Sequence, residues 1–264
     1  MASCALIIYG RGDTLGDFKI FSRDLASRLS RGHAASPSGT FPASRIVQVN
    51  IERRVGFFDY LKDPPFRHTM KIKELHVFSH SIGAGLFLSY GDAAVAQLRV
   101  QAMQAAALLG RNINYDEAVN AEVGAILVDD FRRAPYAGMR AAIRANFEST
   151  AFIKLWGCNS AITGWTYGDN GVTDPADTSV PYYWRAFNER NVPKPSVAQA
   201  FANYFGLTTY GAAAGSHIEV QHGGAWVSSA RYRRDVGRWP SGMLQHRLTP
   251  DRGSYNAYTP AASP

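Results

Sequence analysis

Two apolar runs most constrain what this chain can fold into. Leu75-His76-Val77-Phe78-Ser79-His80-Ser81-Ile82-Gly83 and Phe152-Ile153-Lys154-Leu155-Trp156-Gly157-Cys158-Asn159-Ser160-Ala161 each begin as a strand and stop abruptly at small and polar residues. If the two are parallel neighbours, His80 and Cys158 emerge at one sheet edge, where open α/β sheets place their chemistry.

The remaining pattern supports that layout. Residues 5–9 are a third apolar run, closed by Gly10-Arg11-Gly12-Asp13. Leu15, Phe18, Phe21, Leu25 and Leu29 then follow at helical spacing over 14–30, with Thr14 and Asp17 as a weak capping box. Ile46–Asn50 is a second strand in chain order, and 56–61 a short helix broken at Pro64-Pro65. An Ala-rich helix spans 92–109, between Asp92 and Gly110. Residues 125–128 form a short strand or a helix end, and 136–148 are helical. Segment 162–194 lacks periodicity and is long for a connector, as functional loops are. Ser196–Phe205 is a helix, 207–210 a strand, and 217–220 and 225–229 short strands. The tail beyond Pro250 reads as poorly ordered. Strands alternating with helices predict a three-layer α/β domain over 1–250, a mostly parallel sheet with helices on both faces, followed by the tail 251–264.

Composition narrows the class. With 264 residues and 46% hydrophobic content the chain is of ordinary globular type. No apolar run approaches the ~20 residues of a membrane helix. Met1–Tyr9 reads as a first strand without a basic leader, so the expectation is synthesis in a cytosol, with leaderless export still open. Two cysteines, Cys4 and Cys158, make neither a disulfide framework nor a Cys-rich zinc site. The net charge of +7 is scattered apart from Arg231, Arg233, Arg234 and Arg238, which reads as a solvated surface rather than a nucleic-acid site.

A thiol is a useful nucleophile as thiolate, at an exposed position beside a base. A histidine on the neighbouring strand end can take that proton and later return it to a leaving group. The small residues Ser81, Gly83, Gly157, Asn159 and Ser160 let a substrate approach backbone N–H groups that would stabilise an oxyanion.

In this order the motifs resemble the caspase-like (clan CD) cysteine peptidases, and most nearly the bacterial type, including self-cleaving protease domains of large toxins. The resemblance rests on Ala5-Leu6-Ile7-Ile8 before a Gly-rich turn, on the strands ending at His80 and Cys158, and on Ser196–Ala202 with the strand into Tyr210-Gly211-Ala212. It implies a caspase-like fold, a polypeptide substrate and no metal or organic cofactor. It also implies His80 as base, Cys158 as nucleophile, and an oxyanion site at the N–H groups of Ser81 and Cys158. In the loop after the first strand, Arg11 would select an acidic substrate side chain and Asp13 a basic one. Two features depart from the family: Ser81 follows the histidine where glycine is usual, and the span from His80 to Cys158 is long.

Two rivals use the same residues. Ser79-His80-Ser81-Ile82-Gly83 resembles the nucleophile elbow of α/β-hydrolases, with Ser81 as alternative nucleophile, Asp129 or Asp130 as acid, and His217 or His222 as base. A non-catalytic binding module on the same fold is the other. His217, Glu219 and His222 have strand spacing for a metal but lack a fixed third ligand, so a polar strand is the simpler reading. The Gly10–Gly16 loop lacks the register and the lysine of a phosphate loop and reads as a turn. Trp156, Trp165, Trp184, Trp226 and Trp239 are candidates for a cleft lining or for packing.

Overall fold

In a computed structural model the chain is described over residues 1–11, 18–32, 38–81, 83, 85–89, 124–164 and 195–261. Strand β1 (Ala2–Tyr9) is followed by helix α1 (Phe18–Arg31), β2 (Ile46–Asn50), α2 (Arg54–Lys62) and β3 (Met70–Phe78). Three short strands come next: β4 (His80–Ser81), β5 (Gly85–Phe87) and β6 (Ala125–Leu127). Then come a 3₁₀ turn at Val128–Arg132, α3 (Tyr136–Arg144), β7 (Phe147–Leu155), α4 (Val197–Phe205) and β8 (Thr208–Ala212). The last elements are β9 (Ser216–His222), β10 (Ala225–Ser228), α5 (Ser229–Val236), β11 (His246–Pro250) and β12 (Tyr255–Tyr258).

Six strands form the main sheet in the order β12-β8-β7-β3-β1-β2, and only β12 runs antiparallel to its neighbour. The fold is therefore three-layer α/β. Alternation along the strands gives each sheet face its own core. Leu6 and Ile8, Leu75 and Val77, and Ile153 and Leu155 point toward Phe57 and Phe58 of α2, Ile143 of α3 and Phe201 of α4. The intervening Ala5, Ile7, Phe78 and Trp156 point toward Phe18, Phe21, Leu25 and Leu29 of α1. β9, β10 and β11 make a small antiparallel sheet that lies on the α1 face through Ile218 and Leu248.

Two sequence expectations are corrected. The helix expected over 136–148 ends at Arg144: the Asn146 amide donates to the carbonyls of Leu61 and Lys62, and the buried Phe147 already belongs to β7. The tail expected to be poorly ordered supplies β12, which covers the edge of β8, and the Tyr258 hydroxyl donates to the Ala161 carbonyl at 2.6 Å. Residues 125–128 divide into β6 and the first residue of the 3₁₀ turn. The helix expected at 92–109, with Asp92 and Gly110, lies outside the described residues, as do Asp13 and all of the 162–194 loop beyond Gly164.

Candidate functional site at the ends of β3 and β7

The strands ending at His80 and Cys158 are parallel neighbours. Their register pairs His76 with Lys154 and Val77 with Leu155, and the Trp156 N–H still donates to the Val77 carbonyl at 2.9 Å. Two residues further on the same face, the rings of Phe78 and Trp156 stack. The ladder ends at Val77 and Leu155, and His80 and Cys158 each lie three residues beyond it, where His80 has entered the β4–β5 pair and Cys158 a turn. The chains stay in contact beyond the last ladder bond. A Cβ at Gly157 would stand 2.6 Å from the Ser81 Cβ and 2.9 Å from the Ser79 carbonyl oxygen. Only glycine permits that approach.

A dense set of backbone bonds fixes the turn carrying Cys158. Asn159 adopts φ 58°, the left-handed region that asparagine tolerates better than most residues. Its N–H donates to the Ala214 carbonyl, and the Ala161 N–H to that of Ala212, both at 2.9 Å. The Ser160 hydroxyl donates to the Gly157 carbonyl and accepts from the Ala212 N–H, both at 3.0 Å. The turn is thus clasped to the end of β8 and the start of β9.

Cys158 is half-buried. Its Sγ accepts the Ser216 N–H at 3.2 Å, and its thiol faces the Ser216 carbonyl at 3.9 Å. Beside it, burial and then the proximity of Cys158 push the Tyr255 phenol above its ordinary pKa. His80, at the start of β4, has its ring edge-on to Phe18 at 5.0 Å, with Nε2 shielded from solvent. The other cysteine, Cys4, is fully buried, and burial pushes its thiol up to about 12.

The remaining predicted residues are distributed differently. Arg11 is exposed, and its backbone N–H donates to the Leu88 carbonyl at 2.6 Å. Ser81 is buried, and the chain continues from it into the antiparallel pair β4–β5, where a nucleophile elbow requires a strand-to-helix turn. Asp130 is engaged by Arg54 at 3.0 Å and by the Leu127 N–H at 2.8 Å, and burial raises its carboxyl. Asp129 lies on the same 3₁₀ turn. His217 bonds Asp251 at 2.8 Å and approaches Glu219 at 3.6 Å, whereas His222 packs edge-on against Tyr232. Among the described residues no group of three metal-ligating side chains converges. Trp239 is exposed with Arg233 over its ring, and Trp165 and Trp184 lie outside the described residues.

One feature was missed by sequence reasoning. On the α1 face, below the ends of β3 and β7, a cavity of about 390 Å³ is bounded by α1, β7, β8, β11 and Tyr255. Arg28, Lys154 and Arg247 line it. The signal in the sequence was a set of polar residues, Glu74, His76 and Lys154, inside apolar strand runs.

Comparisons of the chain with protein-family models, with curated proteins and with solved structures give no match.

Proposed function

We propose that the chain is a cysteine peptidase of caspase-like type, with Cys158 as nucleophile and His80 as general base. The observation that supports this reading is the parallel pairing of β3 and β7 as far as Val77 and Leu155, with His80 and the half-exposed Cys158 each three residues further along the chain. His80 takes the thiol proton, and Cys158 Sγ attacks the peptide carbonyl. The tetrahedral oxyanion collapses to a thioester as His80 gives its proton to the departing amine. Water, deprotonated by His80, then hydrolyses the thioester and restores the thiol. The N–H groups of Ser81 and Cys158 stand at this edge as oxyanion donors. A polypeptide is the substrate, with Arg11 favouring an acidic side chain or Asp13 a basic one. The chemistry uses no cofactor. A bacterial effector or toxin-type role follows from the resemblance.

The serine esterase reading is weaker, because Ser81 is buried against Gly157 and leads into a hairpin. The test is a peptide-library cleavage assay on the wild type, on Cys158→Ala and on His80→Gln. The expectation is cleavage by the wild type alone, abolished by iodoacetamide on Cys158 with Cys4 unmodified. Activity retained in Cys158→Ala, or stoichiometric fluorophosphonate labelling at Ser81, would overturn it. No cleavage and no labelling in the folded chain would leave the binding module.

A further inference from the structure

The cavity below the strand ends brings three cations into one space. Arg28 and Arg247 both lie against the Trp226 ring, at 5.9 and 4.4 Å from its centre, so two like charges share one aromatic ring. Lys154 Nζ sits 4.0 Å from the centre of the Trp156 ring and 4.1 Å from that of Tyr255. The nearby carboxylates are otherwise engaged. Glu219 binds Arg247 at 2.7 Å and accepts from Thr249, and Glu74 bonds His76 Nε2 at 3.0 Å. His76 Nδ1 accepts the Trp156 indole N–H at 3.3 Å, which leaves the Nε2 hydrogen for Glu74. Among the described residues, Arg28 and Lys154 meet no carboxylate at ion-pair distance. Burial, and then neighbouring positive charge, draws both below their ordinary range, Lys154 to about 8. Arg28 and Lys154 are partly buried, cations withdrawn from water are ordinarily paired, and ring faces replace a counter-ion only in part.

We infer that this cavity binds a small aromatic anion, its charged group held by Lys154 and Arg28 and its flat ring laid among Phe152, Trp156 and Tyr210. Three observations fix the chemical class. The unpaired cations ask for a negative charge. The aromatic and aliphatic walls ask for an apolar body, and the aromatic ones favour a flat one. The volume lies in the range of small-molecule sites, about 300–1,000 Å³, and accommodates one or two rings. The site uses neither His80 nor Cys158, so it stands independently of the peptidase reading.

The probe is 2-naphthoate, with 2-naphthamide as its uncharged twin, titrated calorimetrically and by tryptophan fluorescence. The wild type and Cys158→Ala should bind naphthoate with equal affinity, at least tenfold more tightly than naphthamide. Lys154→Met and Arg28→Met, each shown folded by its thermal transition, should each lose at least tenfold in affinity for naphthoate and leave that for naphthamide unchanged. Equal binding of the two probes, naphthoate binding untouched by both variants, or no binding of naphthoate to the wild type at millimolar concentration would each overturn the assignment.

Discussion

Phe78 and Trp156 lie ring over ring, their centroids 5.1 Å apart and their planes 12° from parallel. This stack is the last side-chain rung that β3 and β7 share before both chains leave the sheet. It joins the two chains just before the segments that bear His80 and Cys158. One position beyond it, Gly157 passes against the Ser79–Ser81 backbone, so an aromatic contact and a missing side chain together bring the two strand ends close.

Gly157→Ala tests that closeness. The added methyl group meets the Ser81 Cβ and the Ser79 carbonyl at distances no structure tolerates, so the segments must part. Overpacking of this kind costs about 1–3 kcal/mol. The expected outcome is a lower urea midpoint with an unchanged m-value. Ser81→Gly in the same chain removes one of the two clashes and should recover part of the loss. An alanine variant as stable as the wild type would contradict the packing.

The C-terminal strand carries a second prediction. β12 covers the edge of β8, and Tyr258 is tied to Ala161 in the Cys158 turn. Tyr258→Phe leaves the ring and removes the bond. The expected loss is about 1 kcal/mol in denaturant unfolding. Hydrogen exchange at Asn159 and Ala161, whose N–H groups bond Ala214 and Ala212, should quicken with it.

These contacts also show which parts of the structure were legible in the sequence. β1, β3 and β7 could be read because each carries a mainly apolar run that stops abruptly, and the order of strands and helices implied their parallel pairing. β12 could not, since Tyr255-Asn256-Ala257-Tyr258 is short and exposed at its two central residues; its role comes from the edge it covers. Phe147 falls inside the helix expected over 136–148 because the bonds by which Asn146 ends α3 go to α2, far away in the chain. His80 and Cys158 were visible as strand ends. The cavity was not, since its cations come from α1, β7 and β11, and no local pattern joins Arg28 to Lys154 or Arg247.

Asp24 makes stability depend on acid. Burial alone would raise its carboxyl, but bonds from the His246 side chain, from the His246 N–H at 2.5 Å and from Arg23 outweigh burial and hold it below the ordinary carboxylate range. A carboxyl depressed on folding adds stability that is complete above its unfolded pKa, near 4, and is lost as pH falls through the folded value. Asp24→Asn should therefore cost about 1–3 kcal/mol at pH 7. The gap from wild type should stay constant down to about pH 5 and narrow below pH 4. Urea midpoints of the two proteins across pH 2–7 measure it, and a gap independent of pH would remove Asp24 from that role.

Lys154 gives the opposite sign and links stability to the cavity. Its ammonium is held between two rings, and burial, Arg28 and the counteracting Glu74 leave its pKa at about 8 against an ordinary value of 10.5. Below pH 8 both folded and unfolded chains carry the proton, and the folded chain bears the cost of a partly desolvated charge. Between the two values the unfolded chain keeps a proton that the folded one releases, so stability rises with pH through that window. Lys154→Met, which fills the same space without the charge, should stabilise the chain by about 1–3 kcal/mol at pH 7. That advantage should shrink between pH 8 and about 10.5 and be lost above it. Saturating 2-naphthoate should stabilise the wild type and not the variant, reducing the difference at pH 7. A residue kept only for packing would show a pH-independent difference and no response to the anion. A lysine that destabilises the free chain and is repaid when an anion enters is what a binding site at this position requires.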